Sequence, residues 1–195
     1  MTIYYLNFNF FSDFFRVKED LQDQVDLPMI DVGLGVISTA LMNLIITGQA
    51  TPYVHNSVGD DEKVGICGRN DIGLLISSEN EESSKVGAYL KTPMMPIWLT
   101  KCEGNMGVLF NPSKDLLKSK GAETRFNLYY YSDKEFEKGE TPKQTLLTVD
   151  SRAKEKEEEK DFDNTEVVPP ALETAIGTKW LGAGIDWNDT EPYVW

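Results

Sequence analysis

The stretch that most constrains the fold runs from Pro96 to Asn111 and reads PIWLTKCEGNMGVLFN. Apolar residues lie on both sides of a short polar segment, Glu103-Gly104-Asn105, which predicts two strands joined by a tight turn. Two strands this close in sequence pair antiparallel, so we expect a sheet built around this hairpin. The asparagine at the predicted tip, Asn105, is a polar residue in an otherwise hydrophobic hairpin and therefore needs an explanation.

Further strand signals surround this hairpin. The aromatic segment from Thr124 to Ser132 is expected to be a central strand, and the segment from Thr145 to Ser151 is expected to pair with it. A last short strand is expected in the tail after Ala183. The remaining predicted strands are Leu74–Ile76, Val86–Thr92, Met95–Lys101 and Met106–Asn111.

Helical signals occur in four segments of the chain. Apolar residues spaced for one helical face, together with capping and breaking residues, predict four helices. The predicted class is therefore α+β, with helices first and then a mostly antiparallel sheet. The predicted helices are Phe10–Val25, one from Ile37 or Ser38 to Thr47 that is capped by Ser38 or Thr39 and ended by Gly48, a short one in Pro112–Lys120, and one opened by Pro169 or Pro170 that turns Leu172, Ile176 and Trp180 inward.

The length of 195 residues suits one domain, which we assign to residues 1–195. Residues 152–166 include the run KEKEEEKDFDN, which is too polar to bury a core. We predict a charged mobile loop over 152–166, with a solvated helix as the alternative.

The net charge of −13 limits the partners of the chain. Nucleic acid and anionic membranes both require a basic surface, so neither is an expected partner. An acidic surface could instead attract a basic protein surface, such as the basic side of ubiquitin, or it could serve solubility alone. Two cysteines are too few for a disulfide framework, and they fit a reducing compartment, cytoplasmic or nuclear.

The residues themselves show little catalytic chemistry. The one histidine, His55, lies in a polar segment, and the default for Cys67 and Cys102 is an inert thiol. The segment GICGRNDIG lacks phosphate-loop spacing, and the acidic runs lack the pattern of a calcium loop. We therefore expect no metal and no cofactor, and we interpret the glycosylation pattern at Asn188 as incidental.

Several motifs, in order, carry a resemblance to a known family. The segment from Tyr89 to Phe110, YLKTPMMPIWLTKCEGNMGVLF, is similar to the signature of the MINDY deubiquitinase family, in particular its fourth branch. The other matching segments, within a match from about Asp20 to Asn188, are LMNLIITGQA (41–50), RNDIGLL (69–75), RFNLYYYSD (125–133) and VPPALETAIGTKWLGAGIDWN (168–188).

The resemblance implies the C-terminal portion of a papain-like cysteine protease fold. It also implies cleavage of degradation-type polyubiquitin by a thiolate, with a histidine as base and a glutamine in the oxyanion hole. Ubiquitin or polyubiquitin is then the expected partner.

The chain departs from the family at the chemistry. The family's catalytic histidine falls on Asn105, and an amide has no nitrogen that titrates near neutral pH. The family's catalytic cysteine and glutamine lie upstream of the matching part, so no catalytic residue is assigned here. Ala40 stands where relatives have a glutamate. The chain is in these respects most like the inactive paralogue of the fourth branch.

Three hypotheses follow. The first is an inactive or truncated MINDY-type domain that retains ubiquitin binding. The second is an active deubiquitinase whose nucleophile comes from outside this chain or from a relocated pair such as Cys67 with His55. The third is a fragment with little independent function, which would expose apolar surface.

Overall fold

The computed structural model describes residues 17–21, 28–31, 33, 36–57, 64–78, 85–132, 144–152 and 169–193. Within these ranges the chain is α+β, as predicted, and a six-stranded sheet organises it. The predicted helix Phe10–Val25 is helical over residues 17–21, and the rest of it lies outside the described residues. Of the predicted loop 152–166, only Arg152 is described.

The strands of the sheet are neighbours in chain order: β3 (Gly73–Ile76), β4 (Ile97–Cys102), β5 (Asn105–Phe110), β6 (Arg125–Ser132), β7 (Gln144–Asp150) and β8 (Gly184–Asp186). A separate antiparallel pair consists of β1 (Ile30–Asp31) and β2 (Val36–Ile37). In the sheet, β3 is parallel to β4, and every other neighbouring pair is antiparallel. The prediction of a mostly antiparallel sheet is therefore confirmed.

Four short helical elements follow the helical residues 17–21 in the described part of the chain. They are α1 (Thr39–Thr47), α2 (Ala88–Lys91), a 3-10 helix (Lys114–Leu117) and α3 (Ala171–Gly177). Of the two predicted caps of α1, Ser38 is the one observed: its Oγ accepts a hydrogen bond from Leu41 N (3.2 Å), and the helix ends at Gly48, whose φ of 77° suits glycine. The helix predicted after Pro169 or Pro170 and the short helix predicted within Pro112–Lys120 are also present.

The predicted strand Val86–Thr92 is wrong, because its centre forms the single helical turn α2. Gly87 is the extended residue before the turn, and Leu90 is fully buried beneath it. The turn stops at Thr92, since the residue before a proline, here Pro93, disfavours helical backbone. Short apolar segments carry too little periodicity to separate these two outcomes.

The core lies on both sides of the sheet. The inner face, which carries Trp98, Leu109, Leu128 and Leu147, packs against α3 through Leu172 and Ile176, as predicted for these two helix residues. On the opposite, outer face, the β3 end is covered by a second cluster that includes Leu74, Ile76 and Leu90. No helix in the described part of the chain is long and apolar enough to cross a membrane.

Candidate functional site

The hairpin β4–β5 turns over two residues, Glu103 and Gly104, and its first closing pair is Cys102 opposite Asn105. Both turn residues have positive φ, 50° and 88°, as a type I′ hairpin turn requires. Gly104 adopts this conformation without strain, whereas Glu103 does so at a cost. The prediction that Asn105 lies at the tip of the hairpin is therefore wrong, because Asn105 is the first residue of β5.

The side chain of Asn105 is half-buried and folds back on its own hairpin. Its Nδ2 lies 3.4 Å from the carbonyl oxygen of Cys102 and 3.4 Å from that of Glu103. Both hydrogen bonds are long and therefore weak. The group present at this position is thus an amide donor held by backbone carbonyls, with no proton acceptor of the kind that activates a thiol.

Cys102, the residue opposite Asn105, is an unsuitable nucleophile. Its side chain is fully buried within the inner-face core. Burial, and then the negative charge of Glu103, raise the pKa of this thiol to about 12. Because the thiolate is the reactive form, Cys102 is inert near neutral pH.

Cys67 and His55 lie in two segments joined by a parallel bridge between Asn56 and Ile66. The exposed thiol of Cys67 accepts a hydrogen bond from Gln49 Nε2 (3.3 Å), and its Sγ lies 3.9 Å from Gly65 O. Neither contact involves His55.

His55 is oriented by other groups. Its Nδ1 lies 2.9 Å from the carbonyl oxygen of Asn56, and since a carbonyl only accepts, Nδ1 carries the proton. Its ring packs on Tyr53 with centroids 5.2 Å apart. The structure thus brings together the two segments that carry Cys67 and His55, the hypothetical relocated pair. The side-chain contacts described here for each of the two are with other residues.

Two polar residues that sequence reasoning did not assign fix the segments around the hairpin. The guanidinium of Arg69 donates to the carbonyl oxygens of Thr92 and Pro93, and so ties the RNDIGLL motif to the segment that enters β4. Asn43, on α1, is buried and donates to the carbonyl oxygens of Thr51 (2.7 Å) and Tyr53 (2.9 Å). Both polar residues therefore have a structural role, which is to hold backbone carbonyl groups of neighbouring segments.

Asn188 is also held by the fold. Its Nδ2 donates to Leu146 O (3.0 Å) and to Asp186 O (3.2 Å), and its φ of 49° is in the left-handed region. A sugar on this nitrogen would compete with those hydrogen bonds.

Among the described residues, no group of three or more His, Cys, Asp or Glu side chains could hold a metal ion. At the hairpin turn, residues 102–105 contribute one buried thiol, one carboxylate and one amide. The amide is not a base near neutral pH, and the buried thiol is not a nucleophile there.

The family motifs lie in the β4–β5 hairpin, in the segment that enters β4 and in helix α3 of one α+β domain. This arrangement indicates a domain of the deubiquitinase class, and comparison with known proteins gives the same class. The model of the conserved domain of the deubiquitinating enzymes MINDY-3/4 matches residues 10–189. The chain belongs to the MINDY-3/4 family.

Relatives in the family cover most of this chain. It is 37% identical over 189 residues to the probable ubiquitin carboxyl-terminal hydrolase MINDY-4 of Homo sapiens, covering 92% of this chain and 24% of the relative. It is 39% identical over 189 residues to that of Bos taurus, with the same coverage.

A more distant relative is the ubiquitin carboxyl-terminal hydrolase MINDY-3 of Danio rerio, 30% identical over 154 residues, 76% of this chain and 34% of the relative. The chain spans about a quarter of the length of these MINDY-4 relatives. No solved structure matches it.

Proposed function

We propose that this chain is a MINDY-type domain that binds polyubiquitin and does not cleave it. The observation that carries the proposal is Asn105, the residue at the position of the family's catalytic histidine, whose amide donates to its own hairpin backbone. A base must accept the thiol proton, and an amide does not do so near neutral pH.

The buried thiol of the hairpin supports the same proposal. Cys102 is the thiol nearest to Asn105 in the hairpin register, and it is buried with a pKa raised to about 12. Because the thiolate is the nucleophile, this residue does not supply one near neutral pH.

Ubiquitin is the proposed partner because the relatives are named ubiquitin carboxyl-terminal hydrolases. We further propose that the sheet and its hairpin correspond to the C-terminal portion of a papain-like fold. Two free cysteines fit an intracellular, reducing location, cytoplasmic or nuclear.

The test is a pull-down of tetra-ubiquitin chains of defined linkage on the purified chain, with cleavage followed in the same tube. We expect at least one linkage to be retained and none to be shortened. A ubiquitin probe that reacts with active-site thiols should leave the chain unlabelled. Labelling that disappears in Cys67→Ser would contradict the proposal and establish the relocated nucleophile. Absence of any binding would leave only the fragment hypothesis.

A further inference from the structure

Two hydroxyl groups on the inner face of the sheet are buried without a hydrogen-bond partner among the described residues. One is the Oγ1 of Thr100, the fourth residue of β4, which is fully buried. The other is the Oγ of Ser77, the residue after β3. Buried polar groups in folded proteins are nearly always paired with protein or with ordered water, so each of these hydroxyls requires an explanation.

The pairing register places both hydroxyls near the hairpin turn. Thr100 lies opposite Gly107 on β5 and opposite Leu75 on β3. The backbone N–H of Ser77 donates to Lys101 O (3.1 Å), so Ser77 continues the pairing of β3 with β4 by one residue. Alternate residues of a strand share a face, and Ser77 is therefore on the face of Leu75, one row closer to the hairpin turn than Thr100.

A third hydroxyl, that of Tyr130 on β6, lies in the same region. A Cβ on Gly107 would overlap the Tyr130 hydroxyl oxygen, so this oxygen lies directly over Gly107. The Cβ positions of directly opposed residues are about 5 Å apart, which places the Tyr130 oxygen about 5 Å from the Cβ of Thr100. The missing side chain at Gly107 thus leaves room for a hydroxyl beside Thr100.

The three hydroxyls define the chemistry of a group that could join them. Each can donate one hydrogen bond and accept two, so Tyr130 can bind a further group in addition to its other contacts. Cys102, the next residue of β4 on this face, is a neutral thiol because burial raises its pKa to about 12, and it offers an ion no opposite charge. A small, uncharged group that both donates and accepts fits this environment.

We propose that Ser77, Thr100 and Tyr130, here called the hydroxyl cluster, form an internal hydration site in which an ordered water bridges Thr100 Oγ1 and the Tyr130 oxygen. Ser77, one row away, offers a hydrogen bond to this water or to a second water beside it. Internal waters typically make about three hydrogen bonds to buried polar groups that the protein leaves unpaired. The site links strands β3, β4 and β6 and does not depend on ubiquitin binding.

The test compares two threonines that are both buried on the inner face. Thr145 Oγ1 has a protein partner, the hydroxyl of Tyr193 (2.8 Å), whereas Thr100 Oγ1 has none among the described residues. Valine keeps the shape of threonine without its hydroxyl. Thr100→Val therefore removes one ligand of the proposed water, and Thr145→Val, the matched control, removes a hydrogen bond between two side chains.

The number of internal waters is the first measurement. Oxygen-17 relaxation dispersion of the solvent counts long-lived waters in a protein and is insensitive to the exchange of hydroxyl protons. We expect a folded Thr100→Val chain to hold about one such water fewer than the unaltered chain, and Thr145→Val to hold the same number. No loss in Thr100→Val, or an equal loss in both variants, would overturn the inference.

Thermal unfolding of the same variants gives the sign of the effect on stability. A hydroxyl bonded to water contributes to stability, whereas a dry, unpaired hydroxyl lowers it. Both Thr100→Val and Thr145→Val should therefore lower the midpoint of thermal unfolding by about 2–4 °C. An unchanged or raised midpoint for Thr100→Val would identify a dry hydroxyl and contradict the proposed water.

A crystal structure of the unaltered chain, with its ordered waters, needs no variant. We expect a water oxygen within about 3.2 Å of Thr100 Oγ1 and within hydrogen-bond reach of the Tyr130 hydroxyl. Clear density for Thr100 with no water beside its hydroxyl would refute the hydration site. That result would leave the proposed ubiquitin binding intact, because the hydroxyl cluster is not part of it.

Discussion

Cys102 and Asn105 are direct partners across the two-residue turn of the β4–β5 hairpin, and the amide of Asn105 lies 3.4 Å from the carbonyl oxygen of Cys102. A thiol and an amide thus occupy neighbouring positions on the inner face of the sheet. This placement determines what a histidine at position 105 could do.

Asn105→His is expected to add an imidazole, at the position that the resemblance assigns to the family's histidine, without producing cleavage. The neighbouring thiol, Cys102, is buried and its pKa is raised to about 12, so a base near pH 7 would not generate enough thiolate. Only two long hydrogen bonds are lost, so the free energy of unfolding should change by about 0.5 kcal/mol or less. The measurements are tetra-ubiquitin cleavage and urea unfolding, with Asn105→Gln as control. Turnover by Asn105→His would show that a competent thiol lies within reach of this position.

The two thiols should react at very different rates. Cys67 is exposed and should be labelled by a maleimide reagent in the folded chain, whereas Cys102 should be labelled only in denaturant because it is fully buried. Mass spectrometry of the intact chain would count one label under native conditions. Cys67→Ser should abolish that label and Cys102→Ala should not. Rapid labelling of both sites would contradict the placement of Cys102 in the core.

Gly73 should not tolerate even a methyl group. A Cβ at this position would contact the backbone oxygen of Leu90 below contact distance and would lie 2.6 Å from the ring of Trp98. We therefore expect Gly73→Ala to lower the free energy of unfolding by about 1–3 kcal/mol.

A matched control for Gly73→Ala is Gly177→Ala, in helix α3, where a Cβ would meet nothing within 4 Å. Alanine restricts the unfolded chain and favours helix, so this variant should be neutral or more stable by up to about 1 kcal/mol. Urea unfolding of both variants measures the difference. Equal stability of the two would mean that β3 and α2 separate more easily than their contact indicates.

Lys179 should make stability depend on pH. Its side chain is 7% exposed, it lies 4.7 Å from the centroid of the Trp180 ring, and burial lowers its pKa below 10.5 against the opposing effect of Glu123. The unfolded state therefore binds more protons between the lowered pKa and 10.5, so this residue's contribution to stability rises with pH in that window.

The pH effect of Lys179 is isolated by comparing variants. The raised pKa of Cys102 acts in the opposite direction above about pH 9, but it is common to the unaltered chain and to Lys179→Met, and cancels in their difference. That difference in unfolding free energy should grow in favour of the unaltered chain as pH rises from 7 to 10. Lys118→Met, at a lysine whose side chain is 69% exposed, is the matched control for removing a lysine charge at the surface. A flat difference for Lys179→Met would contradict the burial of its ammonium.

The elements that could be predicted from the sequence are those whose signals come from neighbouring residues in the chain. Ser38 and Gly48 bound α1 because a cap and a left-handed glycine act on their own neighbours. The aromatic strand β6 and its partner β7 were likewise evident from alternation. The order of the sheet and the parallel pairing of β3 depend on contacts between distant segments, which periodicity does not encode.

The candidate site was predicted in part. The sequence drew attention to Asn105, and the resemblance assigned it to the position of the family's histidine. Its place at the start of β5 was not predicted, because it depends on Glu103 adopting a positive φ in a two-residue turn. The role of Arg69 was not predicted, since its partners are backbone oxygens 23 and 24 residues away. The stacked rings of Phe110, Tyr129 and Tyr131 could not be recognised before the register placed these residues on neighbouring strands.

The mixed sheet has a consequence for the order in which the chain folds. Strands β4 and β5 are joined by two residues. The segment between β3 and β4 is much longer, and it must fold back before Gly73 can lie opposite Trp98. Closing the longer loop costs more entropy, and parallel pairing of this kind is slow. We therefore expect the hairpin that carries Asn105 to form early and the strand of the RNDIGLL motif to join it late, so that two motifs of one family signature fold at different times.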